Sequence, residues 1–269
     1  MPPQTYSPMQ PLRIGVLLAP PPVQLLDLAP IDLFYMMSRE YLNSLPPLLP
    51  QPIKDLGIND LEILYIADTR STASIAPLTA NLTIQTTHSL HDADVQPGTL
   101  SILLIPGPDP TQPTPDPYRT FIRAHAEKGQ TDIITVCTGI FPACYAGICD
   151  GRSVTGPRGL LPDLRKKFPN VAVFEHKRWS VDRFVVPGTT VGENVRGGRP
   201  AELWTAAGIT NGADCIAAYM RAHFDRELAE IVIRMADVGG RPQDYGNGQF
   251  VEQAWWMSTI LKALLKRLW

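Results

Sequence analysis

The chain has 269 residues, enough for one large domain or two small ones, and its 24 basic and 26 acidic residues leave a formal net charge of −2. That balance gives no electrostatic footprint for nucleic acid, and no run of 18 apolar residues marks a membrane span. Four cysteines (Cys137, Cys144, Cys149 and Cys215) form no CxxC pair and no zinc spacing with histidine, the pattern of a reduced, cytoplasmic protein without a metal. Residues 1–11 are proline-rich, lack the layout of a secretory signal, and read as a flexible N-terminus.

Residues 12–19 are apolar and predict a buried first strand, stopped by Pro20, Pro21 and Pro22. Asp27 follows in an apolar turn between Leu26 and Leu28, and a helix is expected over 31–39 with Pro30 near its first turn. The Pro-rich stretch 43–55 reads as a surface loop. Strands are expected over 61–67, 82–86 and 100–105, the last ending in Pro106-Gly107-Pro108. A proline-laden loop over 109–117 leads to a helix over 117–128 that Gly129 terminates.

The most informative stretch is 131–143. Ile133 to Val136 is a β-branched apolar run that stops at Cys137, and small residues then open a helix reaching Gly147. A strand that ends on a nucleophile and turns at once into a helix is the layout of a nucleophile elbow. Free N–H groups at the helix start would favour a Cys137 thiolate, and Gly139 would let backbone or substrate approach closely. The competing reading is a small cysteine buried at a strand end.

Further on, 160–168 predicts a helix with Arg165, Lys166 and Lys167 in its last turn, and 171–175, 179–186 and 203–206 predict strands. Residues 187–200 read as a long Gly- and Pro-rich insertion. Helices are expected over 211–223 and 226–235. A basic, amphipathic helix over 255–269 is expected to pack its Trp and Leu residues on the domain or on a partner chain. Apolar strands alternating with helices predict a three-layer α/β sandwich around a mostly parallel, flavodoxin-like sheet, with function at the carboxyl ends of its strands. Asp27, Gly107 and Cys137 all fall at such ends.

Several motifs, in order, resemble the ThiJ/PfpI superfamily of the class I glutamine amidotransferase-like fold. They are Leu26-Asp27 with the following Ala29 to Phe34, Leu104 to Gly107, Val136 to Gly139, Ala146 to Arg152, Phe168 to Val171, Arg178-Trp179 and Trp204 to Gly212. Leu-Asp-Leu, Cys-Thr-Gly and Thr-Ala-Ala-Gly-Ile together are similar to the isocyanide hydratase-like branch. The resemblance implies one domain over 12–240, with 241–269 as a tail. It implies Cys137 as nucleophile, Asp27 as the acid standing over it, Thr138 as a third catalytic residue, and Gly107, Pro108 and Gly139 along the substrate. Departures are the Pro108 in place of a second glycine, which removes one N–H donor, Thr138 where protease-like members carry His, and the absence of His in 155–158. The implied function is a cofactor-free hydratase or lyase acting on a small electrophile, working as a homodimer. The alternatives are a glyoxalase-type or cyclising enzyme on the same fold, or a non-enzymatic redox or ligand sensor. His88, His91, His125, His176 and His223 lie in no recognised motif.

Overall fold

A computed structural model describes residues 11–20, 22–46, 49–68, 75–184 and 199–265. Its strands are β1 (Leu12–Leu17), β2 (Leu61–Ala67), β3 (Ile75–Pro77), β4 (Thr83–Gln85), β5 (His88–Ser89), β6 (Ile102–Ile105), β7 (Asp132–Val136), β8 (Ser153–Val154), β9 (Ala172–Val173), β10 (Trp179–Arg183) and β11 (Glu202–Ala206). Its helices are α1 (Leu25–Leu28), α2 (Ile31–Tyr35), α3 (Arg39–Ser44), α4 (Gln51–Lys54), α5 (Asp116–Lys128), α6 (Ile140–Tyr145), α7 (Leu161–Lys167), α8 (Asn211–His223), α9 (Arg226–Met235) and α10 (Gln249–Leu265).

Seven strands form one sheet in the order β10-β11-β7-β6-β1-β2-β5, parallel except for the edge pair β10–β11. The central strands are apolar on both faces because both faces are covered. On β6, Ile102 and Leu104 join one core with Phe34, Tyr219 and Phe224, while Leu103 and Ile105 join the other with Phe121, Ile122 and Phe141. The first core carries α2, α8 and α9, and the second α5, α6 and α7, so the expected three-layer α/β sandwich is the observed one. β7, β6 and β1 are adjacent and parallel, which brings the loops after them to one place.

Several expectations need local correction. The helix expected over 31–39 is two, because Ser38 caps a new start: its hydroxyl accepts from Tyr41 N at 3.0 Å. The loop expected over 43–55 therefore holds the end of α3 and the short α4. The strand expected over 82–86 leaves the main sheet and pairs with β3 as a hairpin, and 171–175 contributes only β9, which pairs with β8. These segments are too short for a periodic signal to reveal their partners. The final helix starts at Gln249, six residues earlier than expected. None of its residues is buried, and Trp255, Trp256, Leu261, Leu264 and Leu265 each stay more than half exposed, so the domain does not cover these side chains. The insertion over 187–200 lies outside the described residues up to 198, as do 1–10 of the N-terminus and 266–269 of the tail helix.

One polar hub ties the far side of the sheet together. The buried Asp132 carboxylate at the start of β7 takes both Arg199 Nη atoms, the Glu202 N–H at 2.8 Å and the Tyr219 hydroxyl at 2.6 Å. Removing it takes the bidentate carboxylate from Arg199 and leaves the buried Glu202 N–H without its acceptor. Asp132→Ala is expected to cost about 3 kcal/mol or more, seen as a Tm lowering on the order of 10 °C by differential scanning calorimetry.

Candidate functional site

Strand β7 ends at Val136, and Cys137 takes a left-handed backbone with φ of 56°. A non-glycine residue there is strained, and such strain persists only when the surroundings hold it. A 3-10 turn over Cys137–Gly139 then leads into α6. The Cys137 N–H donates to Ala207 O at 3.1 Å, which ties the turn to the end of β11. Gly139 carries no Cβ because one would overlap the Ile105 carbonyl oxygen. The close approach is thus to backbone at the end of β6, and it is what lets the turn fold so tightly under Cys137.

The loop after β6 closes the site from one side. A Cβ on Gly107 would overlap both Thr138 Oγ1 and Asp27 Oδ2 and lie 3.0 Å from Thr138 N. Asp27, Gly107 and Thr138 therefore meet at one point, brought there by three adjacent strands. Thr138 donates its hydroxyl proton to Pro108 O at 2.7 Å. That proton is committed to holding the loop. The loop is held from its other side by Gln24 N, which donates to Gly107 O at 2.8 Å, and by a bridge between Val23 and Pro108. Leu25 N donates to Thr79 Oγ1 at 3.0 Å, so the β3–β4 hairpin backs the segment carrying Asp27.

Asp27 is wholly buried, at 0% exposure, and Cys137 is partly exposed. Burial pushes the Asp27 carboxyl up to about 7. Cys137 and the Gly107 N–H act on it in the opposite direction, yet neither makes a hydrogen bond of ordinary geometry to it, and both carboxyl oxygens stand without such a partner. The Cys137 thiol is pushed up to about 12, by burial first and by the Asp27 charge second, while the N–H groups of Thr138 and Ile209 pull it down. The resting thiol is therefore neutral. The expectation that the helix start alone would favour a thiolate is not met, because burial and a facing carboxylate outweigh a short turn's N–H groups. The two acids form a coupled pair that holds a single negative charge over a broad pH range.

Sequence reasoning brought Cys137, Asp27, Thr138, Gly107 and Pro108 to this place, and Gly139 beneath it. It did not single out Ile209, whose only signal was its position in the Thr-Ala-Ala-Gly-Ile-Thr run. The histidines lie elsewhere. His125 is buried, faces Thr131 Oγ1 and Val95 O, and is pulled down to about 4 by burial. His223 sits on Glu202 at 3.0 Å. His91 and His176 are exposed, and His88 faces Thr87. Among the described residues no cluster of three potential metal ligands stands together, and no helix is long and apolar enough to cross a membrane.

No family model matches the chain, and no curated protein does. Solved structures do. DJ-1beta of Drosophila melanogaster aligns at 14% identity and a TM-score of 0.60 over 86% of this chain and 99% of its own. A ThiJ/PfpI family protein from Pseudomonas syringae aligns at 18% identity and 0.57, over 90% and 81%. An AraC family transcriptional regulator from Pseudomonas putida aligns at 13% and 0.58, over 84% and 100%. The chain has the DJ-1/ThiJ/PfpI superfamily fold. At such identities the likeness speaks for architecture, and the chemistry has to come from this chain's own residues.

Asp27 makes stability pH-dependent in a direction that can be checked. Its folded pKa, about 7, lies above its ordinary value of 3.8, so the fold is penalised only where the group is ionised. This stability is complete below about pH 4 and is lost as pH rises through 7, by on the order of 4 kcal/mol. Asp27→Asn escapes the loss. Its Tm advantage over wild type should be small at pH 4 and largest at pH 8, and an advantage that shrinks with rising pH would contradict the assignment.

Proposed function

We propose that the protein is a cofactor-free, cysteine-dependent hydratase or lyase acting on a small electrophile, with the turn at Cys137 as a nucleophile elbow. The observation that carries this is Asp27: a fully buried carboxyl, titrating near neutrality, with no ordinary hydrogen-bond partner, facing the Cys137 thiol. A buried acid without a structural partner is costly, and a proton-transfer role explains its presence. A neutral thiol beside a carboxylate can react without a histidine, because the carboxylate takes the proton as sulfur attacks.

For an isocyanide the steps balance. Sulfur bonds to the terminal carbon while the thiol proton passes to Asp27. The Asp27 carboxyl then returns that proton to the same carbon, leaving a thioimidate. Asp27, again a carboxylate, takes a proton from water as the oxygen adds to that carbon. Asp27 passes that proton to the nitrogen; the hydroxyl proton then returns through Asp27 to sulfur as the C–S bond breaks and the carbonyl forms, and an N-formamide departs. The N–H groups of Thr138 and Ile209 face the sulfur and stabilise it whenever it carries charge. Thr138 and Pro108 hold the Gly107 loop, which covers Asp27 and shields its carboxyl from bulk solvent.

Cytoplasmic placement fits four free cysteines, three of them buried. A homodimer fits α10, where Phe250, Met257, Ile260, Leu261 and Leu264 share a helical stripe and are each more than half exposed. Light scattering at micromolar concentration should give twice the chain mass, and a monomer would remove the dimer from this reading.

Turnover of an aryl isocyanide and of methylglyoxal, assayed separately, tests the chemistry and its glyoxalase alternative. Cys137→Ser is expected to abolish the active reaction, and Asp27→Asn to lower it by on the order of 10²-fold or more. In wild type, kcat/KM should climb as pH rises to about 7, where Asp27 becomes able to accept the thiol proton, and level off above. Asp27→Asn should lose that limb. Full rates in both variants would place the chemistry elsewhere.

A further inference from the structure

Gly208, which sits between Ala207 and Ile209, lines a cleft of about 430 Å³ that the chemistry above leaves unused. It is lined by Arg158, Arg178, Gly208, Tyr245, Asn247 and Trp256, among others. Its connection to the site is short. Ala207, beside Gly208, accepts the Cys137 N–H at 3.1 Å and donates its own N–H to Arg178 O at 2.8 Å. Ile209, on the other side of Gly208, turns its N–H toward the thiol.

The two arginines share one aromatic ring and keep hydrogen-bonding capacity among the described residues. Both guanidinium carbons sit near the Tyr245 ring, at 4.5 Å for Arg158 and 4.3 Å for Arg178. Stacking on an aromatic ring fixes a guanidinium's plane and leaves its N–H edge to point outward. Arg178 pairs with no carboxylate among the described residues. Its one side-chain hydrogen bond, to Asn211 Oδ1, is long at 3.4 Å. Arg158, whose side chain is only 10% exposed, has Asn247 O at 3.0 Å and Glu252 at 3.5 Å. The Nε atoms of both are buried and without a partner. A guanidinium whose Nε–H is kept from water and left unbonded is costly to hold, and an anion bound at its outer Nη edge offsets that cost. Two cations against the single carboxylate of Glu252 leave the cleft with a net positive charge.

The parts around it hold the arginines in place. Thr155 Oγ1 donates to Phe174 O at 2.8 Å and Lys177 O at 3.1 Å, fixing the turn before Arg178. Arg178 N donates to Gln243 O, and Tyr245 N to His176 O, which fixes the Tyr245 ring between its neighbours. Asn211 Nδ2 donates to the Tyr245 hydroxyl at 2.9 Å, so the phenolic proton is left to face a ligand.

We propose that this cleft binds an anionic oxyacid group, a carboxylate or a phosphate, at the far end of the molecule whose electrophilic carbon reaches Cys137. The proposal rests on the reading of Cys137 as the reacting centre, and it narrows the substrate class from any small electrophile to one bearing an acidic group.

Calorimetric titration of the full chain with inorganic phosphate and, separately, with benzoate, at constant ionic strength, tests the binding. The Cys137→Ser protein should bind at least one of the two, and the stronger binder tells phosphate from carboxylate. Arg158→Gln and Arg178→Gln should each weaken that binding about tenfold or more. Glu252→Gln, which removes the competing carboxylate, should tighten it, and this gain cannot come from misfolding. In wild type, the bound anion should slow iodoacetamide labelling of Cys137, and this protection should vanish in both arginine variants. Equal affinity across all four proteins, or no binding of either anion, overturns the site. Binding that leaves Cys137 labelling unchanged overturns its link to the reacting centre. None of these readouts needs turnover, so they stand apart from the isocyanide and methylglyoxal assays.

Discussion

Two acids, the Asp27 carboxyl and the Cys137 thiol, are held face to face where the carboxyl is cut off from water. Desolvation raises both; the Asp27 charge raises the thiol further, while the thiol draws the carboxyl part of the way back down. The pair settles on one negative charge, resting on the carboxylate near neutrality. Many surrounding features serve to hold this arrangement against its own unfavourable energy.

The holding is mostly backbone. Cys137 keeps a left-handed φ because Ala207 binds its N–H and because Gly139 lets the turn press onto Ile105. Asp27 stays in place because Gly107 leaves room for its carboxyl and the β3–β4 hairpin braces the chain before it. Thr138 gives up its hydroxyl proton to fasten the Pro108 carbonyl. Small residues and main-chain bonds offer little room to relax, and that rigidity keeps a strained, buried acid pair from swinging apart.

The surroundings divide the work. Asp132 consumes its charge in structure at the start of β7, with Arg199, Tyr219 and the Glu202 N–H as partners. Arg158 and Arg178, at the other end of the sheet's strands, keep unspent hydrogen-bonding capacity in the cleft that Gly208 lines. The contrast between a satisfied ion cluster and an unsatisfied one is what separates scaffold from candidate binding surface here. The segment 241–252 matters to that surface because Tyr245, Asn247 and Glu252 all reach the arginines.

The apolar runs at 12–19, 100–105 and 133–136, and the abrupt stop at Cys137, were enough to read a covered parallel sheet with a strand-to-helix turn at its carboxyl edge. Local pattern carries that much, because a strand buried on both faces has to be apolar throughout. Asp27, Gly107 and Cys137 could be ranked from their places after strands, since neighbouring parallel strands deliver their loops to one edge. Pairing could not be read in the same way. The two-residue β5, β8 and β9 carry no period, and the Ser38 cap split a helix that looked continuous. The protonation of Cys137 was misjudged because a turn's N–H groups can be seen in sequence while the desolvation that overrides them comes from residues brought in by the fold. Arg178 was only half of a two-residue motif until Tyr245, far along the chain, was laid against it. Sequence alone determined the layers of this protein and the sheet edge where Asp27, Gly107 and Cys137 meet. Tertiary structure decided which acid holds the charge and which guanidinium Nε atoms are left without an acceptor, because both depend on water excluded by segments far apart in the chain.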